Sequence, residues 1–447
     1  MEEGMKIQLS DHFTYRRLLR FTLPSIVMMI FTSIYSIVDG LFVSNLVGDL
    51  ALSAVNIVMP VIMIVGAFGF MLGTGGSAVT AKTMGEGKQE QANRYFSMFV
   101  WVIAILGIVL SVIGIIFMEP LARLAGASDL LIGDSVLYGR ILLAGSAAFM
   151  LQTTFQSFLI VAEKPHMGLG LSLAAGVTNM VLDYVFIKIF GLGIAGAGFA
   201  TVIGYAVGGI IPLVYFLNKK SGGLRLVRTK FYGRILLNAC ANGSSEMMNN
   251  IAASLVGIIY NIQLMRMLGE AGVAAYAVMM YVDFIFLGTF LGFSFGGAPV
   301  ISYHYGAGNH GELKNLFRKS LVVTGVFSII MVAASEVLSY PLSAIFVGYN
   351  RDLLDMTVHG FRLFALNYVI CGINVFSSSF FTALCNGKIS AFLSFMRALV
   401  LRGGMVLFLP VLLGVDGIWL AVVAAEALGA VFSILFFITQ RKRYGYA

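Results

Sequence analysis

Asp39 and Asp183 are the residues best placed to do chemistry, because each stands inside a long apolar run. A carboxylate at membrane depth costs roughly 2.5–3.5 kcal/mol on insertion scales, so it needs a partner or a purpose. No Lys or Arg accompanies these acids within the runs of the first half; Arg140 and Lys188 sit at run ends, where their long side chains reach outward. Lys188 is five residues beyond Asp183, about 140° around a helix, and so does not share its face. The two acids must hold protons or share a cation.

Depth points to a common site. Asp39 lies eight residues inside one end of its run, and Asp183 and Thr201 each lie seven inside theirs. At 1.5 Å per helical residue, all three fall roughly 10–12 Å below the same surface. Asn179 is one turn from Asp183 on the same face. Two carboxylates, an amide oxygen and a hydroxyl suit a hard cation such as sodium, and equally a carboxyl pair sharing a proton. A plainer role, bonding helix backbones, is open to Asn179 and Thr201.

The elements that must position these groups are membrane helices. The 447 residues are 59% hydrophobic and 11% charged, with mean hydropathy +0.92, against about 25% charged in soluble domains. A span needs about 20 apolar residues, and its lipid-facing backbone must be bonded internally. Apolar runs place spans at 21–47, 51–73, 95–118, 136–161, 167–190, 194–216, 236–261, 272–298, 319–340, 356–384, 389–413 and 417–439. The first run is long and flanked by Arg16, Arg17 and Arg20, with no signal cleavage site, so it is expected to stay as a helix. Counted over alternating loops, 21 of the 29 Lys and Arg fall on the side of the termini, Lys6, Lys219 and Lys220 among them. The bias predicts cytoplasmic termini in a multi-pass inner-membrane protein. It also accounts for the net charge of +8 through anionic lipid, without nucleic acid.

An internal repeat organises the spans. An offset of 221 residues carries Gly75-Gly76, Val79, Gly85, Gly87 and Phe96 onto Gly296-Gly297, Val300, Gly306, Gly308 and Phe317. It also carries Gly48, Asp49 and Ala54 onto Gly269, Glu270 and Ala275, and Gly193, Gly196, Ala200 and Gly208 onto Gly414, Gly417, Ala421 and Gly429. Six spans per half is an even number, so the halves share one topology about an axis along the membrane normal. The expected fold is all-α, twelve transmembrane helices as two parallel six-helix repeats, with lobes at 1–225 and 226–447 and polar repeat loops at 82–94 and 303–315.

Several of these residues carry a family likeness. Pro24 in the first helix, Asp39-Gly40, Gly85-Glu86-Gly87, the repeat stretch from Pro299 to Asn309, and Asn179-x-x-x-Asp183 together resemble the multidrug and toxic compound extrusion (MATE) transporters over essentially the whole chain, nearest the DinF-like and MepA-like bacterial branch. The resemblance implies antiport, in which sodium ions or protons enter while amphiphilic, often cationic, compounds leave. It places the coupling cation on Asp39, Asn179, Asp183 and Thr201. It implies a monomer with small-molecule and lipid partners and no cofactor beyond the coupling ion. Lipid-linked precursor flippases share the superfold and form the alternative; an intramembrane enzyme is a weaker one.

The second half differs. It embeds Glu246, Asp283 and Glu426 together with Arg397 and Arg402, which can neutralise one another as a structural network. The tenth span offers Asn367, Asn374 and Ser377 to Ser379 but no acid of the kind some MATE branches use. Glu246, whose repeat mate is Ser25, and Asp283 are candidates for contact with a cationic substrate, as is Tyr35, one turn before Asp39. Cys240, Cys371 and Cys385 show no metal spacing and read as small buried hydrophobes. No Walker A, HExxH or GxSxG pattern appears, so pumping must draw on an ion gradient. The five histidines are dispersed, with His304 and His310 assigned to a repeat loop.

Overall fold

A computed structural model describes residues 7–218 and 223–447, and of Asp49 the backbone only. Lys6, Lys219 and Lys220 of the charge count lie outside the described residues. The first repeat comprises α1 Tyr15–Leu46, α2 Asp49–Gly85, α3 Gln89–Ile116, the bent pair α4 (Ile132–Ala144 and Ser146–Val161), α5 Pro165–Ile189 and α6 Gly193–Leu217. In the second, one stretch Gly233–Gly306 breaks at Gly269 (φ 64°, ψ −154°) into α7 (233–268) and α8 (270–306). There follow α9 His310–Val347, the bent pair α10 (Arg351–Ala365 and Tyr368–Ala383), α11 Gly387–Leu413 and α12 Val415–Tyr444. The two bent spans turn by 54° and 49°. The chain thus crosses the membrane twelve times, in two parallel six-helix repeats.

Backbone geometry repeats with the sequence. Gly48 and Gly269 both take positive φ, as do Gly193 and Gly414, each pair separated by 221 residues. These conformations are open to glycine and strained for most other residues, so the register is held by turns as well as by composition. Between α4 and α5 stands Glu163 (φ 57°), and between α10 and α11 stands Cys385 (φ 56°).

The helices pack where side chains are missing. A Cβ on Gly75 would fall 2.0 Å from Ala239 O, and one on Gly243 would fall 1.8 Å from Met71 O, so α2 and α7 touch backbone to backbone. The repeat-related crossing joins α1 and α8 at Thr22 and Gly296. At the pseudo-twofold axis α2 meets α8, with Gly85 against Tyr303 O and Gly306 against Lys82 O, each at 2.0 Å from a notional Cβ. Where lipid removes the hydrophobic drive between helices, such close packing of small residues holds bundles together.

The helices outrun the apolar runs. α2 continues to Gly85 rather than ending at 73, and α9 begins at His310 rather than 319. The expected polar loops 82–94 and 303–315 shrink to short turns, because a nucleated helix keeps adding residues after the hydrocarbon ends. His304 accordingly stands on the last turn of α8, buried against Phe13, and not in a loop. Of the cysteines only Cys371 is buried; Cys240 and Cys385 are partly exposed.

Candidate functional site

Small residues draw α1, α5 and α6 together in the first repeat. Gly176 of α5 faces Phe31 and Tyr35 of α1, and Gly204 of α6 rests on Ala175 O and the Asn179 Cβ of α5. Asp39 comes one turn after Tyr35, Asp183 one turn after Asn179, and Tyr205 one turn after Thr201, so each helix presents two groups to the same space. Directly after Asp183 the helix widens into a π turn, Tyr184–Ile189, a deformation often found at functional positions. Lys188 on that turn is exposed, clear of the acids.

Asp39, Asn179, Asp183 and Thr201, marked in the sequence as one site, do converge. Asp39 lies within hydrogen-bonding reach of both Asp183 and Asn179, and Asn179, Asp183 and Thr201 are 0%, 0% and 3% exposed. The Asn179 amide donates to Thr201 Oγ1 at 3.2 Å, and the Thr201 hydroxyl donates to Ala197 O at 2.9 Å. Neither bond reaches a carboxylate. Asp39 Oδ1, both Asp183 carboxylate oxygens and Asn179 Oδ1 are buried with no hydrogen-bond partner. An unmatched buried acceptor costs about 1–3 kcal/mol, and more when charged. Four oxygens facing inward without a donor fit a bound proton or a small hard cation.

Two residues join the cluster that the sequence did not reveal. Tyr138 of α4 is fully buried, its hydroxyl beside Thr201 and near both acids, and it too lacks a hydrogen-bond partner. Tyr205 of α6 lies close to Asp39 and stacks on Phe149 with centroids 4.5 Å apart. A one-turn spacing from Thr201 was the available signal for Tyr205. Tyr138 offered none. Tyr35 is half-buried beside Asp39, its ring parallel to that of Phe31.

The corresponding region of the second repeat is internally paired. Arg402 Nη2 lies 2.6 Å from Glu426 Oε1, and Arg397 Nη1 lies 3.8 Å from the same oxygen. Asn374 donates to Glu426 Oε2 at 2.7 Å and accepts from Ser433 at 2.9 Å. Tyr368 donates to Asp283 Oδ1 at 2.8 Å. Arg397 lies within a π turn on α11, Met396–Leu401, and Arg402 directly follows it, as Asp183 borders the one on α5. Glu246 of α7 stands apart from these bonds, half-buried beside Asn249 and in the field of Arg397.

Similarity to known proteins follows the same two repeats. The MatE family model matches residues 24–185 and 247–406. The Multidrug export protein MepA of Staphylococcus aureus is 20% identical over 431 residues, covering 96% of this chain and 94% of that protein. Its counterpart in Staphylococcus saprophyticus is 22% identical over 436 residues, with the same coverage. A solved structure described as the outward-facing conformation of a multidrug resistance MATE family transporter of the MOP superfamily superposes with TM-score 0.92 over 100% of both chains, at 20% identity. With both repeats matched, this chain belongs to the MatE family of multi-pass membrane transporters, in its MepA-like branch, and is not an enzyme.

Proposed function

We propose that the chain is a multidrug exporter of the cytoplasmic membrane that drives amphiphilic, often cationic, compounds outward against an inward flow of sodium ions or protons. The carrying observation is the set of four buried oxygens on Asp39, Asn179 and Asp183 that has no hydrogen-bond partner and, among the described residues, no embedded base beside it. Loading a cation or proton removes the like-charge cost of holding Asp39 beside Asp183, so occupancy biases the packing of α1 against α5 and α6. Thr201 supplies a fifth oxygen when the ion is sodium, and Tyr138 turns its hydroxyl to whichever species binds.

Residues 1–225 and 226–447 act as two lobes that rock about the glycine contacts on the side of the termini. Those backbone contacts support a state closed on the terminal side and open on the other. Tyr35, Glu246 and Asp283 face the substrate path between the lobes, with Glu246 supplying the negative charge that attracts a cation. Both termini are cytoplasmic and the protein works as a monomer in lipid. Cysteines introduced at Lys88 and Lys314 would then label from the same face. The reading is tested in proteoliposomes with sodium and proton gradients imposed separately and an amphiphilic fluorescent cation as cargo. Export should follow one gradient and vanish in Asp39→Asn. Export that ignored both gradients would favour the lipid-linked precursor flippase, although Arg397 and Arg402, the embedded bases such a substrate would require, are engaged by Glu426.

A further inference from the structure

The repeat places two related clefts on the side of the termini, and their occupants differ. In the first, beside α8 and α9, the chain's own residues 7–14 are laid down. Leu9 and Phe13 are wholly buried there. Leu9 N–H donates to Glu163 Oε1 at 2.9 Å, Phe13 N–H donates to Glu312 Oε1 at 2.9 Å, and His12 Nδ1 lies 2.5 Å from Glu312 Oε2. This cleft turns two acids on the segment's donors, while Asn315 and Lys319 donate to Phe13 O at 3.0 and 2.6 Å. Because Glu163 belongs to the first repeat and Glu312 to the second, the segment ties the halves together.

The second cleft lies between the ends of α2 and α12 and the starts of α3, α7 and α11, and encloses about 670 Å³, within the range of small-ligand cavities. Its charge is reversed. The 221-residue offset puts Gln91 where the first cleft has Glu312, Lys88 where it has Asn309, and Lys82 where it has Tyr303; Cys385, which shares the positive φ of Glu163, takes that acid's place. Lys82, Lys88, Lys388 and Arg443 line it against the single acid Glu86. Lys88 is matched to Glu86 at 2.8 Å, whereas Lys82 stands 4.0 Å from the same carboxylate. Lys388 and Arg443 have no acidic partner among the described residues. α11 also starts here, its Asn386 side chain accepting from Ile389 N at 3.3 Å. Gly387 allows that start to abut α7, since a Cβ would lie 2.4 Å from Ala241 O. A helix N-terminus adds partial positive charge and free N–H groups.

We propose that this second cleft is a binding site for a phosphate-bearing anion, gripped by Lys82, Lys388, Arg443 and the first turn of α11. Its walls come from both repeats, so the bound anion joins α2 and α3 to α7 and α11 as residues 7–14 join the halves in the first cleft. It thereby favours the state closed on this side. The phosphate is carried by a phospholipid headgroup of the adjoining leaflet or by a soluble phosphorylated molecule. The proposal stands apart from the coupling site and survives whichever ion drives transport.

The test uses the full chain in neutral detergent and follows thermal unfolding with two probes, inorganic pyrophosphate and phosphatidylglycerol, each against phosphatidylcholine. The unfolding midpoint should rise by about 3 °C or more with at least one anionic probe. Pyrophosphate alone sufficing identifies a soluble ligand; a response confined to phosphatidylglycerol identifies lipid. The double variant Lys388→Gln/Arg443→Gln should lose at least half of the shift. The control Arg441→Gln/Lys442→Gln, with the same net charge outside the cleft, should keep it. No shift with either probe, or equal losses in the two double variants, would overturn the site.

Discussion

The two repeats set the same helices around opposite electrostatic solutions. In the first, α1, α5 and α6 bring two carboxylates together with no base, leaving four acceptor oxygens unmatched. In the second, α10, α11 and α12 surround Glu426 with Arg402, Arg397 and Asn374. A buried carboxylate bonded on both oxygens, as Glu426 is by Arg402 and Asn374, has little to gain from a further cation, whereas an unmatched acid pair has much to gain. One fold duplicated therefore yields one half whose embedded acid is answered from within and one whose embedded acids are left unmatched. The lesson concerns where to look for switching, which is in the incomplete half.

The largest expected effect separates the halves by activity. Asp39→Asn and Asp183→Asn should each reduce gradient-driven export at least tenfold while membrane levels stay unchanged, because a neutral amide is cheaper to embed than a charge. Full export by both variants would reverse the comparison and send the search to Glu246 and Asp283.

Stability should separate them the other way. Arg402→Gln leaves Glu426, among the described residues, with Arg397 at 3.8 Å as its only ion-pair partner and should cost about 3–5 kcal/mol, whereas the double change with Glu426→Gln should recover most of it. Denaturation in mixed micelles reads both. If the single variant unfolds like the parent, the second-repeat network is not structural.

The repeat-related glycines sharpen the comparison at backbone level. Gly75→Ala places its Cβ 2.0 Å from Ala239 O, while the Cβ of Gly296→Ala meets Thr22 at 3.0 Å. The first should destabilise by about 1–3 kcal/mol and the second by less. Equal losses would mean that the two crossings carry equal strain. The smallest effect falls on Tyr138→Phe. It removes an unpartnered hydroxyl, so stability should change by under about 1 kcal/mol, and any weakening of export would show as a higher ion concentration for half-maximal rate. A large loss of stability would mean the hydroxyl is bonded after all.

Much of this arrangement was legible in the sequence. Apolar runs placed the spans, and a constant offset revealed the repeat, since turn glycines and packing glycines are required twice. The acid cluster was readable because membrane depth turns every carboxylate into a question, and equal depth on three helices narrows the answer. Tyr138 was not readable, as one of 18 tyrosines in a chain where aromatic rings pack and face lipid alike. The pairing of Arg402 with Glu426 depends on helix rotation, which spacing does not give. The break within α4 falls at Gly145-Ser146, a pair that permits a kink, whereas the one within α10, at Leu366-Asn367, carries neither proline nor glycine and is set by packing.

The segment at residues 7–14 also bears on biosynthesis. Its seat at Glu312 is 299 residues downstream of Phe13, so no contact between them can form until α9 has emerged from the ribosome. Through the intervening synthesis Phe13 has Phe21 and Leu9 has Glu163 as partners, but the acceptor of the Phe13 N–H is not yet made, so the segment is among the last to be fully seated. Such a long-range closure is slow to form, because the loop it completes is so large. Protection of these residues from protease would accordingly mark a chain that has finished assembling, and their accessibility would mark one that stalled short of its second half.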